Sequence, residues 1–372
     1  MDELKIFSQM KDTLRFPIYA KISLIIIGLF AFTEILFITQ SIILPIIYSV
    51  IIAILLNPVI NFFVNKKINR VLVISVTLVL ALALTFLIIT LLSIQIGKLS
   101  DSFPKFLVKF NQLIGVCTTW VSENFDISKD KINLFITQKR TEIVKESSNA
   151  IAKTLLNTGN SLVVLLLIPV YIFLILFYKS HLLNFIHQVF NKTEFSKVDD
   201  VLISTKQIIQ SYLIGLLLEA CIVAFLNSTA LLIIGIEYAI LLGVMGAILN
   251  LIPYIGGLIA ISLPLLIALA TKPLTYGMYV LAAYILIQLI DNNFIIPKIV
   301  ASKVKINALI SIVIVLVGGA LWGVAGMFLA LPLTAIIKII CDHIEPLKPW
   351  GVLLGNPDEN SKPWFIKQKV KN

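Results

Sequence analysis

Charge is scarce in this sequence. Asp, Glu, Lys and Arg together make 13% of its 372 residues, about half the share usual in a soluble domain. Cysteine is scarcer: Cys117, Cys221 and Cys341 stand apart with no CxxC spacing, which argues against a disulfide framework. The three histidines, His181, His187 and His343, fall in expected loops or at a helix end. No HExxH, GxSxG or P-loop occurs, so the residue patterns that announce an enzyme are missing, and neither a metal nor another cofactor is expected. Strict apolar–polar alternation is absent as well, which excludes an outer-membrane barrel.

What the chain has instead is apolar bulk. Hydrophobic residues make 59% of it, and the mean hydropathy is +0.99. Several windows exceed the about 20 apolar residues that a spanning helix needs. These features predict an all-α, polytopic integral membrane protein whose first partner is the lipid bilayer. The formal net charge of +10 would suit nucleic acid in a soluble protein. Here Lys and Arg collect in short loops and tails, so membrane topology accounts for them and no nucleic-acid partner is expected. The first apolar window has no cleavage-like site and reads as a retained span.

Residues 1–20 form a basic amphiphilic start, and three spans follow at 21–39, 42–64 and 70–96. Glu34, near the outer end of the first, reads as an interfacial carboxylate. The linker "NKKINR" places the second-to-third turn and the N-terminus in the cytoplasm by the positive-inside rule. Residues 97–160 read as an external amphipathic hairpin, with apolar residues from Leu99 to Trp120 at helical spacing. Spans at 161–178 and 207–234 flank a polar stretch, and residues 161–345 read as the functional core. A basic tail, 346–372, returns to the cytoplasm and is expected to be loose after Pro349.

Within the core, residues 239–271 and 307–341 are pairs of apolar arms too short to cross the bilayer, a reading of two broken, re-entrant-like hairpins. The first turns at Pro253, Gly256 and Gly257, with φ above zero expected at one glycine. The second turns among Gly318, Gly319, Gly323 and Gly326. Irregular backbone at membrane depth belongs where it lines a cavity, and in transporters it brings helix ends to a solute. Close helix packing through glycine is the other reading.

Polar residues inside apolar runs mark candidate positions. Glu219 sits near the middle of span five and shares a face with Tyr212 and Gly215. "QLIDNNFIIPKIV" crowds Gln288, Asp291, Asn292 and Asn293 near the end of the 277–296 run, with Pro297 beyond. Asx side chains compete for backbone hydrogen bonds and proline removes a donor, so the helix is expected to end or unwind there. An ionised group in a span costs at least about 2.5 kcal/mol. Glu219 and Asp291 are therefore candidates for handling H+ or Na+, with Asn250, Asn292 and Asn293 as neutral contacts; the alternatives are a buried hydrogen-bonded pair and a wetted helix end.

At "NPVINFF" with "INR", "QSYLIGLLLEA", "LNLIPYIGGLIA", "DNNFIIPKIV" and "LVGGALWGVAGMFLALP" the sequence resembles the AI-2E family of polytopic membrane proteins. The resemblance covers most of the chain. It implies about seven or eight membrane segments, a homo-oligomer in the inner membrane, and an exporter of a small polar solute such as the signal autoinducer-2. Other members are linked to sodium/proton antiport, so that activity stands as an alternative. A membrane scaffold that binds a partner through residues 97–160 is the alternative from another class.

Overall fold

The computed structural model describes residues 17–125, 158–190, 195–252, 256–301 and 306–356, with isolated positions between 128 and 138. Its elements are helical throughout these residues. Two compact units divide the chain after Leu44. The first carries α1 (Ile18–Ile38) and the opening residues of α2 (Gln40–Asn65). No residue of α1 is buried, and its Ile, Leu and Phe side chains form a helix apolar all round, as a lipid-facing span requires.

The second unit holds the rest of α2, then α3 (Arg70–Phe125), α4 (Thr158–Phe177), α5 (Lys179–Val189) and α6 (Phe195–Ile234). It continues with α7 (Ala239–Asn250), α8 (Gly256–Thr271), α9 (Leu274–Ile290), a π-helix at Asp291–Ala301, α10 (Ala308–His343) and α11 (Lys348–Leu354). Among the described residues six helices are long and apolar enough to cross a membrane, or seven if α4 and α5 count as one bent span. The protein is a multi-pass membrane protein.

Three expectations change. The third apolar span ends where expected, at Gly97, but its helix does not: α3 runs unbroken for 56 residues, about 84 Å at 1.5 Å per residue. Its first half is the apolar window Arg70–Gly97, so the second half extends well beyond a core of about 30 Å. The residues read as the second arm of the external hairpin lie largely outside the described ones. The polar stretch before span five carries helix as well, Lys179–Val189 and from Phe195 onward, with 191–194 outside the described residues. Finally, the segment after Pro349 is docked. Asn307 accepts a bond from Ile310 N at 2.9 Å as the N-cap of α10, and its own amide donates to the carbonyls of Leu353 and Gly355 at 2.7 and 3.1 Å. One side chain thus starts α10 and ties α11 to it; residues beyond 356 lie outside the described ones.

Both short-armed hairpins form. Arms of 12 and 16 residues make the first, α7 and α8, which corresponds to about 18 and 24 Å. The second lies inside α10. By length alone α10 could span, but Trp322 and Gly323 leave helical geometry, with Gly323 at φ 61 and ψ −143. A Cβ on Gly326 would sit 2.0 Å from the Gly318 carbonyl oxygen. Eight residues of straight helix would hold those two about 12 Å apart, so the chain folds back on itself here. Tyr48 of α2 donates to the Ala325 carbonyl at 3.1 Å and stacks on Phe328, which fixes the tip of this hairpin.

The glycines of the second tip do different work. Gly323 needs its positive φ and has open space around it, whereas Gly326 needs space. At φ 61 and ψ −143 Gly323 sits where essentially only glycine is at ease, so Gly323→Ala, Gly323→Asn and Gly323→Val should each cost about 1–3 kcal/mol, and Gly326→Ala should cost more because carbonyl backbone must move. Melting temperatures of the purified variants check this ordering.

Packing follows membrane rules, in which small residues let helices approach. A Cβ on Gly243 of α7 would meet Ser228 of α6 at 2.2 Å. Leu231, Leu242, Ala268 and Val280, buried to 1% exposure or less, join α6, α7, α8 and α9 in one core. A second core joins α2, α3 and α4 through Ala53, Ile60, Ile74 and Ile172.

Candidate functional site

The site forms where α6, the two hairpins and α9 meet. α6 brings Tyr212 and Glu219 on one face, as their spacing predicts, and both are buried at 3% and 4% exposure. Asn250 is the last residue of α7, so it stands at the tip of the first hairpin. Asp291 follows the last residue of α9 and is 1% exposed. Its helix neither stops nor unwinds there, contrary to the sequence expectation. It widens into an 11-residue π-helix that includes Pro297. The competition that was expected does occur: Asn293 Nδ2 donates to the Leu289 carbonyl at 2.8 Å, and Pro297 offers no donor. The widened register keeps the chain helical where such bulges often mark function.

One amide joins the two acids. Asn250 Nδ2 donates to Asp291 Oδ2 at 2.8 Å and, at a long 3.4 Å, to Glu219 Oε1. No basic side chain pairs with either carboxylate among the described residues. Two buried carboxylates without a counter-charge are costly, so the cluster must be neutralised by protons or by a bound cation.

The cluster stands at a cavity of about 780 Å³ whose wall takes in Tyr212, Glu219, Asn250, Gly257, Gln288 and Asn292, with Ser311 from α10. Its size suits a small solute. A smaller chamber, about 10 Å³, lies beside it among Asn227, Gly246, Asn250, Tyr284 and Asp291, close to the space of one water. Asn227 Oδ1, Tyr284 Oη and Asp291 Oδ1 are buried there without a hydrogen-bond partner.

The structure thus brings together Tyr212, Glu219, Asn250, Gln288, Asp291 and Asn292, and leaves Asn293 out. Asn293 is exposed and its amide serves its own helix. Gln288 and Asn292 bond to each other at 3.3 Å. Pro253 lies outside the described residues. Gly256 and Gly257 have no positive φ, so the expectation of a left-handed turn at either is corrected. Both are needed for space: a Cβ on Gly256 would lie 2.0 Å from the Leu249 carbonyl oxygen, and one on Gly257 2.5 Å from Gln288 Oε1.

Sequence reasoning missed Asn227, Tyr284 and Ser311. Two had a readable signal: Asn227 lies two turns beyond Glu219 on the same face, and Tyr284 lies one turn before Gln288. Ser311 had none, because an apolar hairpin arm often carries a serine bonded to its own backbone, as Ser311 is to Asn307.

Residues 22–345 match the family profile described as AI-2E family transporter. Among curated proteins, the chain is 23% identical over 260 residues to YueF of Bacillus subtilis, covering 67% of this chain and 68% of that one. It is 32% identical over 132 residues to YrrI of the same organism, covering 36% of this chain and 37% of YrrI. Both carry provisional transport-protein names. It is 30% identical over 123 residues to the AI-2 transport protein TqsA of Escherichia coli, covering 33% of this chain and 36% of TqsA.

Proposed function

The chain belongs to the AI-2E family of transporters, and on that footing we propose that it exports a small polar solute through the cavity between the two hairpins. The observation that carries the proposal is the Glu219–Asn250–Asp291 cluster, two buried acids bridged by the tip of a broken hairpin, with Glu219 and Asn250 at the wall of a solute-sized space and Asp291 at the small chamber beside it. Exchange of a proton or Na+ at these acids would supply the coupling. Gly318, Gly319, Gly323 and Gly326 on α10 and Gly256 and Gly257 on the first hairpin are the positions about which the walls would move. The name of its relative TqsA makes autoinducer-2 and comparably small polar metabolites the first solutes to test. Efflux of such solutes from proteoliposomes, with and without Asn250→Ala, is the test. Loss of efflux in the variant at equal protein supports the proposal, and equal efflux removes the cluster from it.

A cation/proton antiport reading has an observation of its own. The one-water chamber presents three unpartnered oxygens, one of them from Asp291, a donor set of the hard kind that small cations take. Acid-linked Na+ flux in the absence of any organic solute would favour it.

The proposal places the protein as a homo-oligomer in the inner membrane with both termini cytoplasmic. In a cysteine-free background, a cysteine at Asn65 is expected to resist an impermeant thiol reagent in intact cells, and one at Asn124 to react. The reverse pattern would invert the orientation, and export with it.

A further inference from the structure

The "NPVINFF…INR" stretch takes no part in the cavity, and its polar residues meet elsewhere. Asn57, within α2 and 5% exposed, accepts a bond from Lys179 Nζ at 3.0 Å through its Oδ1. That bond fixes the orientation of the amide, and leaves Asn57 Nδ2 buried with no acceptor. Arg70, the first residue of α3, donates through Nη2 to the Leu176 carbonyl at the end of α4. Lys206 of α6 is the third cation. Burial first, then the charges of Lys206 and Arg70, hold the Lys179 ammonium below the usual lysine range. Lys179 and Arg70 are therefore held, both half-buried, in the niche where α2, α3 and α4 come together, with the charge of the half-buried Lys206 within reach. None has a carboxylate partner among the described residues.

The niche also has a depth. Arg70 opens an apolar span, Lys179 follows the apolar Leu166–Phe177, and α5 leaves α4 at 67°. α5 is amphipathic and exposes Leu182, Phe185 and Val189, the make-up of a helix lying in the membrane interface. Beside the cations Phe177 and Tyr178 are exposed as well. The arrangement is cationic at headgroup level and apolar below. Like charges gathered without a partner repel, and an unmade buried N–H is costly, so an anion that accepts from both would relieve both.

We propose that Asn57, Arg70, Lys179 and Lys206 form a binding site for a phosphate-bearing anion, the headgroup of an anionic phospholipid in the adjacent leaflet being the source that this depth favours. Basic pockets between spans take such headgroups. The site is separate from the cavity, and does not depend on what the cavity carries.

The test uses the full chain in mixed phosphatidylcholine discs containing one fifth phosphatidylglycerol, with lipid retained by the protein measured by native mass spectrometry. Wild type is expected to retain phosphatidylglycerol in preference to phosphatidylcholine. Lys206→Gln, which breaks no hydrogen bond, should lower that retention about fivefold, the worth of one basic residue near an anionic surface, and leave the melting temperature in pure phosphatidylcholine unchanged. Asn57→Ala should lower it without changing the charge. Sodium phosphate, against sodium chloride at equal ionic strength, separates the sources: displacement of the lipid assigns the niche to free phosphate, and persistence assigns it to the headgroup. Equal retention by wild type and Lys206→Gln, or no preference for the anionic lipid, would overturn the site and leave Lys179 as a packing contact.

Discussion

Replacing Asp291 with Asn is expected to remove the pH dependence of transport, or transport itself, although the shape of the side chain barely changes. The asparagine oxygen still accepts from Asn250, so the 2.8 Å contact survives and the π-helix keeps its start. What disappears is the ability to exchange a proton or hold a cation. A hydrogen bond to a charged group is worth about 1.5–3 kcal/mol, so a step that depends on it should slow roughly ten- to a hundredfold. Glu219→Gln is expected to act in the same direction. The two acids share one amide, so the double variant should lose little more than the worse single one. Initial flux against pH in proteoliposomes with matched protein is the measurement. A wild-type profile for Asp291→Asn would reduce the residue to a structural one, and fully multiplicative losses would mean that the two acids work apart.

The tip of the first hairpin should separate folding from function at two adjacent glycines. A Cβ on Gly256 meets backbone, the Leu249 carbonyl oxygen at 2.0 Å and its carbon at 2.7 Å. Backbone in a packed turn has nowhere to go, and overpacking of this kind costs about 1–3 kcal/mol or more. Gly256→Ala is expected to reduce the amount of folded protein and its melting temperature. A Cβ on Gly257 instead meets the flexible end of Gln288, at 2.5 Å, and then Asn250 Oδ1 at 3.3 Å. Gly257→Val should therefore fold, displace Gln288 and Asn250 from the cavity wall, and abolish flux. The check is size-exclusion yield and melting temperature beside transport for both variants. Wild-type flux from Gly257→Val would mean that the hairpin tip has no part in the pathway.

Much of this was readable in the sequence because the bilayer leaves few choices. A backbone in hydrocarbon must satisfy its own hydrogen bonds, so the apolar runs had to be helices and the short Gly/Pro-interrupted ones had to fold back. Glu219 and Asp291 stood out for the same reason: in an apolar run a carboxylate has few harmless explanations. Their connection was not readable, since Asn250 reaches both acids only once α7 packs on α6 and α9, a tertiary outcome that no local spacing encodes. The behaviour of the "DNNFIIP" stretch was misjudged because ending a helix and widening it both answer the same loss of backbone partners. The neighbouring helices decide between them, with Ile295 buried against Val223 and Ala247. The length of α3 was misjudged because a change from an all-round apolar face to an amphipathic one looks like a boundary, yet helical propensity continues through it.

The central claim is that a solute leaves the cell through the cavity lined by Glu219, Asn250 and Gln288. It is tested most directly by profiling small polar metabolites in the medium of cells that carry wild type, an empty vector, or Gln288→Trp, whose indole would obstruct the cavity beside Gly257. Membrane amounts of the two proteins are matched. The account predicts at least one solute that accumulates outside with wild type and stays at the vector level with Gln288→Trp. A medium unchanged by wild type, or equal accumulation with the cavity obstructed, would contradict it.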